Sequence, residues 1–277
     1  MSIFSVSENL ISHNTKIKEY PDGSYKMTVA SKPVFKEKGF ELIERFEKIS
    51  KPKDMNNATR DDSLRRAKEK VFDIAKLNDF SYFVTLTLDG QKIDRSDVKE
   101  IIKKLRPYLS NLVQRHNLSY LLIPEYHKEN KAVHFHGLFS GDIKLVDSGT
   151  VKAQGHKKPI KIETAKLYGI PLQDCKTVYN LPQWTFGYST AFKMDDNRNA
   201  ISSYMTKYMT KDVQKIFGKF YLAGGKCLKR DAQCSYTDTD YFGFEGDNEV
   251  YCPVIDTSFK YFDSEKRGYA DDIQGLV

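Results

Sequence analysis

The sequence predicts an α+β protein: one mostly antiparallel sheet with helices packed on it. Three observations carry this. Short stretches rich in β-branched and aromatic residues, such as "FSYFVTLTLD" at 80–89 and "AVHFHGLFS" at 132–140, read as strands. Between them lie longer segments whose apolar residues recur every three or four positions, the period of an amphipathic helix. The middle of the chain runs strand, helix, strand, strand, variable segment, strand, helix, so its strands are joined by helices and a hairpin. An apolar content of 40%, with 17 Tyr and 17 Phe, can fill a core and excludes a disordered chain.

Taken in order, "TKIKEYPDGSYKMTVAS" at 15–31 predicts two short strands about a Pro-Asp-Gly turn. "GFELIERFEKI" at 39–49 predicts a short helix, and "SKPKDMNNATR" at 50–60 a linker. "DDSLRRAKEKVFDIAKLN" at 61–78 has a polar start and apolar residues at Leu64, Ala67, Val71, Ile74 and Ala75, which predicts a helix. The strand at 80–89 ends in Asp89. A helix over 94–117 follows, with Pro107 as an expected kink. "LSYLLIPEY" and "AVHFHGLFS" predict a hairpin about the polar turn "HKENK". The basic stretch 151–167 reads as a surface insertion and a candidate contact for a nucleic-acid backbone, "QWTFGYSTAFKM" at 183–194 as a strand, and 195–218 as a helix. The last part is rich in β-formers with weak periodicity. No internal repeat or low-complexity tract is present.

Lys and Arg number 44 against 37 Asp and Glu, a net charge of +7, which suits a polyanionic partner as well as an ordinary solvated surface. The four cysteines show no C-x-x-C spacing and read as reduced thiols in a cytosolic protein. The N-terminus has no signal-peptide pattern, and no apolar run approaches a membrane span, so neither secretion nor membrane insertion is expected. The expected location is the cytoplasm.

Two constellations carry chemistry. In a strand, residues two apart face the same side, so His134 and His136 present both imidazoles to one point. An H-x-H pair is often structural, but a divalent ion wants a third ligand, and the preceding strand offers Glu125 beside the pair, with Glu129 and Asp89 as alternatives. A His-His-carboxylate set accepts Mg²⁺ or Mn²⁺, and imidazole also attracts Zn²⁺. Further on, "YMTKYMTKD" at 204–212 spaces Tyr204 and Tyr208, and Lys207 and Lys211, four apart, so on a helix each pair stands on neighbouring turns. A phenol can attack a phosphodiester and form a covalent phosphotyrosine, and a nearby lysine favours the phenolate and offsets charge on the phosphorus. An amphipathic helix with tyrosines on the sheet and lysines in water would show the same pattern.

"FVTLTLD" (83–89), "HFHGLF" (134–139) and "YMTKYMTK" (204–211), in that order, resemble the three motifs of the rolling-circle replication initiators known as HUH endonucleases. The double tyrosine resembles initiators of small single-stranded DNA phages and related plasmids. "SLRRAKEKVFDIAKLNDFSYFVTLTLD" and "WTFGYSTAFKM" resemble more narrowly the filamentous-phage gene II type of replication-associated protein. The resemblance covers roughly 60–222 and implies three regions: 1–58, an accessory hairpin plus short helix; 59–222, the nicking domain; and 223–277, an annex. It implies the HUH fold, an antiparallel ferredoxin-like or RRM-like sheet flanked by helices. It further implies His134, His136 and Glu125 as ligands of Mg²⁺ or Mn²⁺, Tyr204 and Tyr208 as nucleophiles, and Lys207 and Lys211 as their electrostatic partners. Thr85 and Thr87 would line the DNA groove or pack, and Asp89 would cap a turn. The implied activity is site-specific nicking and joining of single-stranded origin DNA in a bacterial host cell, with a host helicase and DNA polymerase as partners. No Walker motif accompanies it: in "AGGKCLK" Phe220 stands where the first glycine belongs and Cys227 where Ser or Thr does. A DNA-binding protein that keeps the fold without nicking, a water-using hydrolase, and a related relaxase or transposase are the alternatives.

Overall fold

The structure, a computed structural model, describes residues 10–37, 56–127, 132–156, 158–194, 202, 205–206, 215–238, 241, 243, 245–252 and 257–262. The elements run β1 (Leu10–Glu19), β2 (Tyr25–Glu37), α1 (Asn56–Leu77), β3 (Tyr82–Leu88), α2 (Val98–His116), β4 (Ser119–Tyr126), β5 (Val133–Ser140), β6 (Val146–Lys152), β7 (Ile160–Lys161), α3 (Ile162–Leu167), β8 (Lys176–Asn180), β9 (Gly187–Lys193), β10 (Leu222–Gly224), β11 (Gln233–Thr237), β12 (Asn248–Cys252) and β13 (Thr257–Phe262). The chain divides into two compact units, Met1–Asn57 with Ala232–Val277, and Ala58–Asp231. Each holds one antiparallel sheet, of five strands in the first and eight in the second, so the α+β class read from the sequence holds and is consistent with an HUH endonuclease fold.

The first unit joins the two ends of the chain in the order β11-β1-β2-β13-β12. Its β1–β2 turn is the Pro-Asp-Gly expected from the sequence: Gly23 takes φ 80°, and the Asp22 carboxylate accepts from the Ser24 N–H at 3.1 Å. Alternation along β1 and β2 buries Ile17, Tyr25, Met27 and Val29, which pack with Tyr241 and Phe262. The Tyr25 and Phe262 rings, on directly paired residues, stack at 4.5 Å. The helix expected at 39–49 lies outside the described residues.

The second unit orders its strands β10-β4-β5-β3-β9-β8-β6-β7, with β5 and β3, the H-x-H and "FVTLTLD" strands, inside the sheet. On one face α2 lays down Ile101, Leu105, Leu109 and Leu112, a stripe of spacing four, four and three, on Phe135, Phe139, Leu86, Leu122 and Trp184. Asp97 caps α2 by accepting from the Lys99 and Glu100 N–H groups, and Asn117 ends it in the left-handed region at φ 49°. Pro107 sits within α2 without ending it. On the opposite face Leu64, Val71, Ile74 and Ala75 of α1 pack with Leu121, Ile123, Leu138 and Met205. Among the described residues, no helix is long and apolar enough to cross a membrane.

Three elements differ from the sequence reading. α1 begins at Asn56, so the expected linker 50–60 already runs into helix. The basic stretch 151–167 is not a plain insertion: it supplies the end of β6, then β7 and α3, at the sheet edge beyond β8. The helix expected to reach residue 218 has given way by Lys215, where Phe217 (φ 58°) and Gly218 (φ 70°) make a tight turn closed by Lys219 N–H donating to the Ile216 carbonyl. Two consecutive left-handed residues cannot continue an α-helix.

Candidate metal centre

Strand pairing assembles the site row by row. Glu125 of β4 pairs with His134 of β5, His134 with Thr87 of β3, and Thr87 with Tyr188 of β9. The next row on the same face is Ile123, His136, Thr85 and Thr190, and the one after it contains Leu121, Leu138, Phe83 and Phe192. This face therefore grades from polar to apolar along the strands. Its apolar end carries the α1 and Met205 cluster, and its polar end carries Glu125 and the two histidines.

Glu125 Oε2 stands 3.5 Å from His134 Nε2 and 3.3 Å from His136 Nε2, and the three side chains expose 12%, 18% and 14% of their surface. One ligand atom from each lies within 4.8 Å of the others, an arrangement able to hold a metal ion. Burial pushes the Glu125 carboxyl up, but hydrogen bonds from His134 and His136, and their charge, outweigh it and hold the carboxyl well below the usual carboxylate range. The imidazole rings meet edge-on at 4.9 Å. Thr85 Oγ1 lies 3.1 Å from His136 Nδ1, which leaves Nε2 to face Glu125. Gly137 lets β5 approach this closely, since a Cβ there would fall 2.4 Å from the Leu121 carbonyl oxygen.

The structure thus brings together Glu125, His134 and His136, as the sequence predicts. Asp89 does not join them: its carboxylate accepts from the Gln91 N–H and closes a turn after β3. Glu129 lies outside the described residues, as do Tyr204, Lys207, Tyr208 and Lys211. Ser202, Met205 and Thr206 of that segment are helical, and Met205 is fully buried in the cluster that includes Ile123 and Leu138, on the histidine face. Three features escape a sequence reading. Thr85 Oγ1 meets His136 Nδ1, although T-x-T and H-x-H share a period of two and so face each other along paired strands. His127 stands 6.1 Å from the His134 ring. Tyr188 ends the Glu125–His134–Thr87 row with 70% exposure.

Residues 81–213 match the family model described as replication-associated protein, of the ORF2 and gene II protein type. That span contains β3, β5 and the double-tyrosine segment. The match supports a replication-associated protein, an initiator of rolling-circle replication. No curated protein and no solved structure matches the chain.

Proposed function

We propose that the protein nicks and rejoins single-stranded origin DNA at a specific site, through a 5′-phosphotyrosine intermediate formed on Tyr204 or Tyr208. The observation that carries this reading is the position of Met205. This residue sits between the two tyrosines in the sequence and packs on the sheet face that bears Glu125, His134 and His136. Chain connectivity keeps the Tyr204 Cα about 3.8 Å from that of Met205 and the Tyr208 Cα at most about 11 Å away.

In the proposed step a tyrosine Oη attacks the phosphorus, the P–Oη bond forms, and the P–O3′ bond breaks with a proton passing to the leaving 3′-oxygen. Resealing is the reverse attack by a 3′-hydroxyl, which returns the phenol. Lys207 and Lys211 favour the phenolate and offset charge on the phosphorus. Glu125, His134 and His136 would hold the ion, and Thr85 would keep His136 in the tautomer that ligates through Nε2. A bound Mg²⁺ or Mn²⁺ would supply charge that polarises the non-bridging phosphate oxygens. Two tyrosines allow two successive transesterifications, one opening the strand and one closing the circle. Strand separation and extension would fall to a host helicase and DNA polymerase. The exposed Tyr188 ring, on the same face, offers a surface for a base to stack on.

The test is incubation of the full chain with labelled candidate origin strands and Mn²⁺. The expected product is an SDS-resistant protein–DNA adduct that mass spectrometry maps to Tyr204 or Tyr208. Each single Tyr→Phe variant should retain part of the activity and the double variant none. Binding without any adduct across the origin strands would point instead to a DNA-binding protein. Cleavage that survives the double variant would point to water as nucleophile.

A further inference from the structure

A cavity of about 850 Å³ lies at the β10 edge of the eight-stranded sheet, between α1 and α2. Among the described residues six cations line it: Arg66 and Lys70 from α1, Arg106 from α2, and Lys215, Lys219 and Arg230 from the segments around β10. Among the described residues no acidic side chain lines it, although Asp231 forms an ion pair with Lys70 from outside. Three rings, Tyr120, Phe220 and Tyr221, complete the wall.

The site is built rather than incidental. Tyr120 packs over Gly224, where a Cβ would come within 2.7 Å of the ring, so the edge strand is glycine where the phenol must lie flat against it. The Arg230 guanidinium is held by a 2.9 Å hydrogen bond to the Ala223 carbonyl, and although burial pushes the Tyr120 and Tyr221 phenols up overall, its charge is close enough to oppose that push in part. Lys215 stands 5.2 Å from the centroid of the Phe220 ring. Cations that meet phosphates, interleaved with rings that meet bases, are the two halves of single-strand recognition. The volume falls within the range of small-ligand pockets, so it admits nucleotide units. Tyr120 and Glu125 stand at opposite ends of β4, which separates cavity and metal triad by about 17 Å along the strand.

We infer that this cavity is a second nucleic-acid site, one that grips phosphates and bases of a single DNA strand away from the metal triad. The inference rests on the replication reading above, and it gives the protein a hold on DNA that does not depend on cleavage. A free nucleotide would present the same phosphate-and-base chemistry, and the test separates the two sources.

Binding of a fluorescent oligothymidylate to the full chain is measured by anisotropy in EDTA, over a series of salt concentrations. Arg106→Gln/Lys219→Gln removes two exposed cations from the lining. The expected result is a 10- to 25-fold weaker complex at 0.1 M salt, with the salt slope reduced by about 1.4, that is about 0.7 for each phosphate left without its cation. Lys103→Gln/Lys144→Gln removes the same charge from exposed positions outside the cavity and should change neither quantity appreciably. Photocrosslinking with an iodouracil-substituted strand should map to Tyr120, Phe220 or Tyr221. Equal weakening in the two double variants, or crosslinks confined to other regions, would overturn the inference. So would thymidine monophosphate binding that depends on Arg106 and Lys219 while oligonucleotide binding does not; that outcome would assign the cavity to free nucleotides. Because EDTA prevents any metal-assisted step, absence of a tyrosine adduct sinks the nickase reading without touching this measurement. The converse also holds.

Discussion

The two faces of the eight-stranded sheet are written by the same strands and differ in everything but geometry. Along β5, Val133, Phe135 and Phe139 point to α2 and are at most 1% exposed, while His134 and His136 point the other way beside Glu125 and Thr85. Phe135, between the two histidines, is fully buried against a cluster that includes Leu86, Leu122 and Trp184. A period of two forces this division, since a one-residue slip would bury the imidazoles and expose the core. The comparison teaches that the site's precision is made on the face that carries no chemistry. Packing at Phe135 fixes the strand, and the strand fixes two nitrogens.

The largest expected effects break that comparison face by face. His134→Ala and His136→Ala should each abolish adduct formation while leaving thermal unfolding close to that of the wild type, because each imidazole ring is partly exposed and fills no core hole. Phe135→Ala should do the reverse in kind: it should cost about 3–5 kcal/mol of stability in urea unfolding, and the folded fraction should keep a reduced activity, lowered as the strand loosens but not abolished. If a histidine variant unfolds as Phe135→Ala does, the division of labour between the faces is wrong. A smaller effect sharpens it. Thr85→Val keeps the shape at that position but removes the hydroxyl beside His136 Nδ1, and should weaken Mn²⁺ binding roughly 10- to 100-fold in calorimetric titration. Thr85→Ser should restore it. Unchanged affinity in Thr85→Val would show that the hydroxyl does not orient the ligand.

The same contrast explains what is legible in the sequence. Alternation and helical spacing are local, so β3, β4, β5 and α2 can be read with their buried faces, and Glu125 can be placed beside His134 from a single hairpin. Pairings between distant segments leave no local mark. The meeting of β1 and β2 with β11 and β13 in one sheet joins the two ends of the chain, and neither end announces the other. β8, only five residues long, lies between the expected insertion at 151–167 and the expected strand at 183–194 and is too short to stand out. Tyr188 lies in a strand that the sequence predicts, yet its place in the Glu125 row requires knowing that β9 pairs with β3. The basic cavity draws cations from three separated stretches, so their meeting is a property of the fold alone.

The subtlest difference between the faces is electrostatic. The α2 core is apolar and its contribution to stability should not vary between pH 3 and pH 5, whereas Glu125 ties the histidine face to pH. In the unfolded chain the Glu125 carboxyl titrates at about 4.3. In the folded protein burial would raise that value, but hydrogen bonds from His134 and His136, and their charge, hold it lower. Between the two values the unfolded state binds the extra proton, so acidification favours unfolding. The stability due to the ionised carboxylate is therefore fully present above pH ~4.3 and drains away as the pH falls towards the folded value. Glu125→Gln has no such proton to bind. Urea melts of the two proteins in EDTA, taken stepwise from pH 5 down to pH 3, should show the wild type losing stability faster, so that its advantage over the variant shrinks. Parallel pH profiles would mean that the imidazoles do not hold the carboxylate ionised, and the triad would then lack the charge that suits it to a divalent cation.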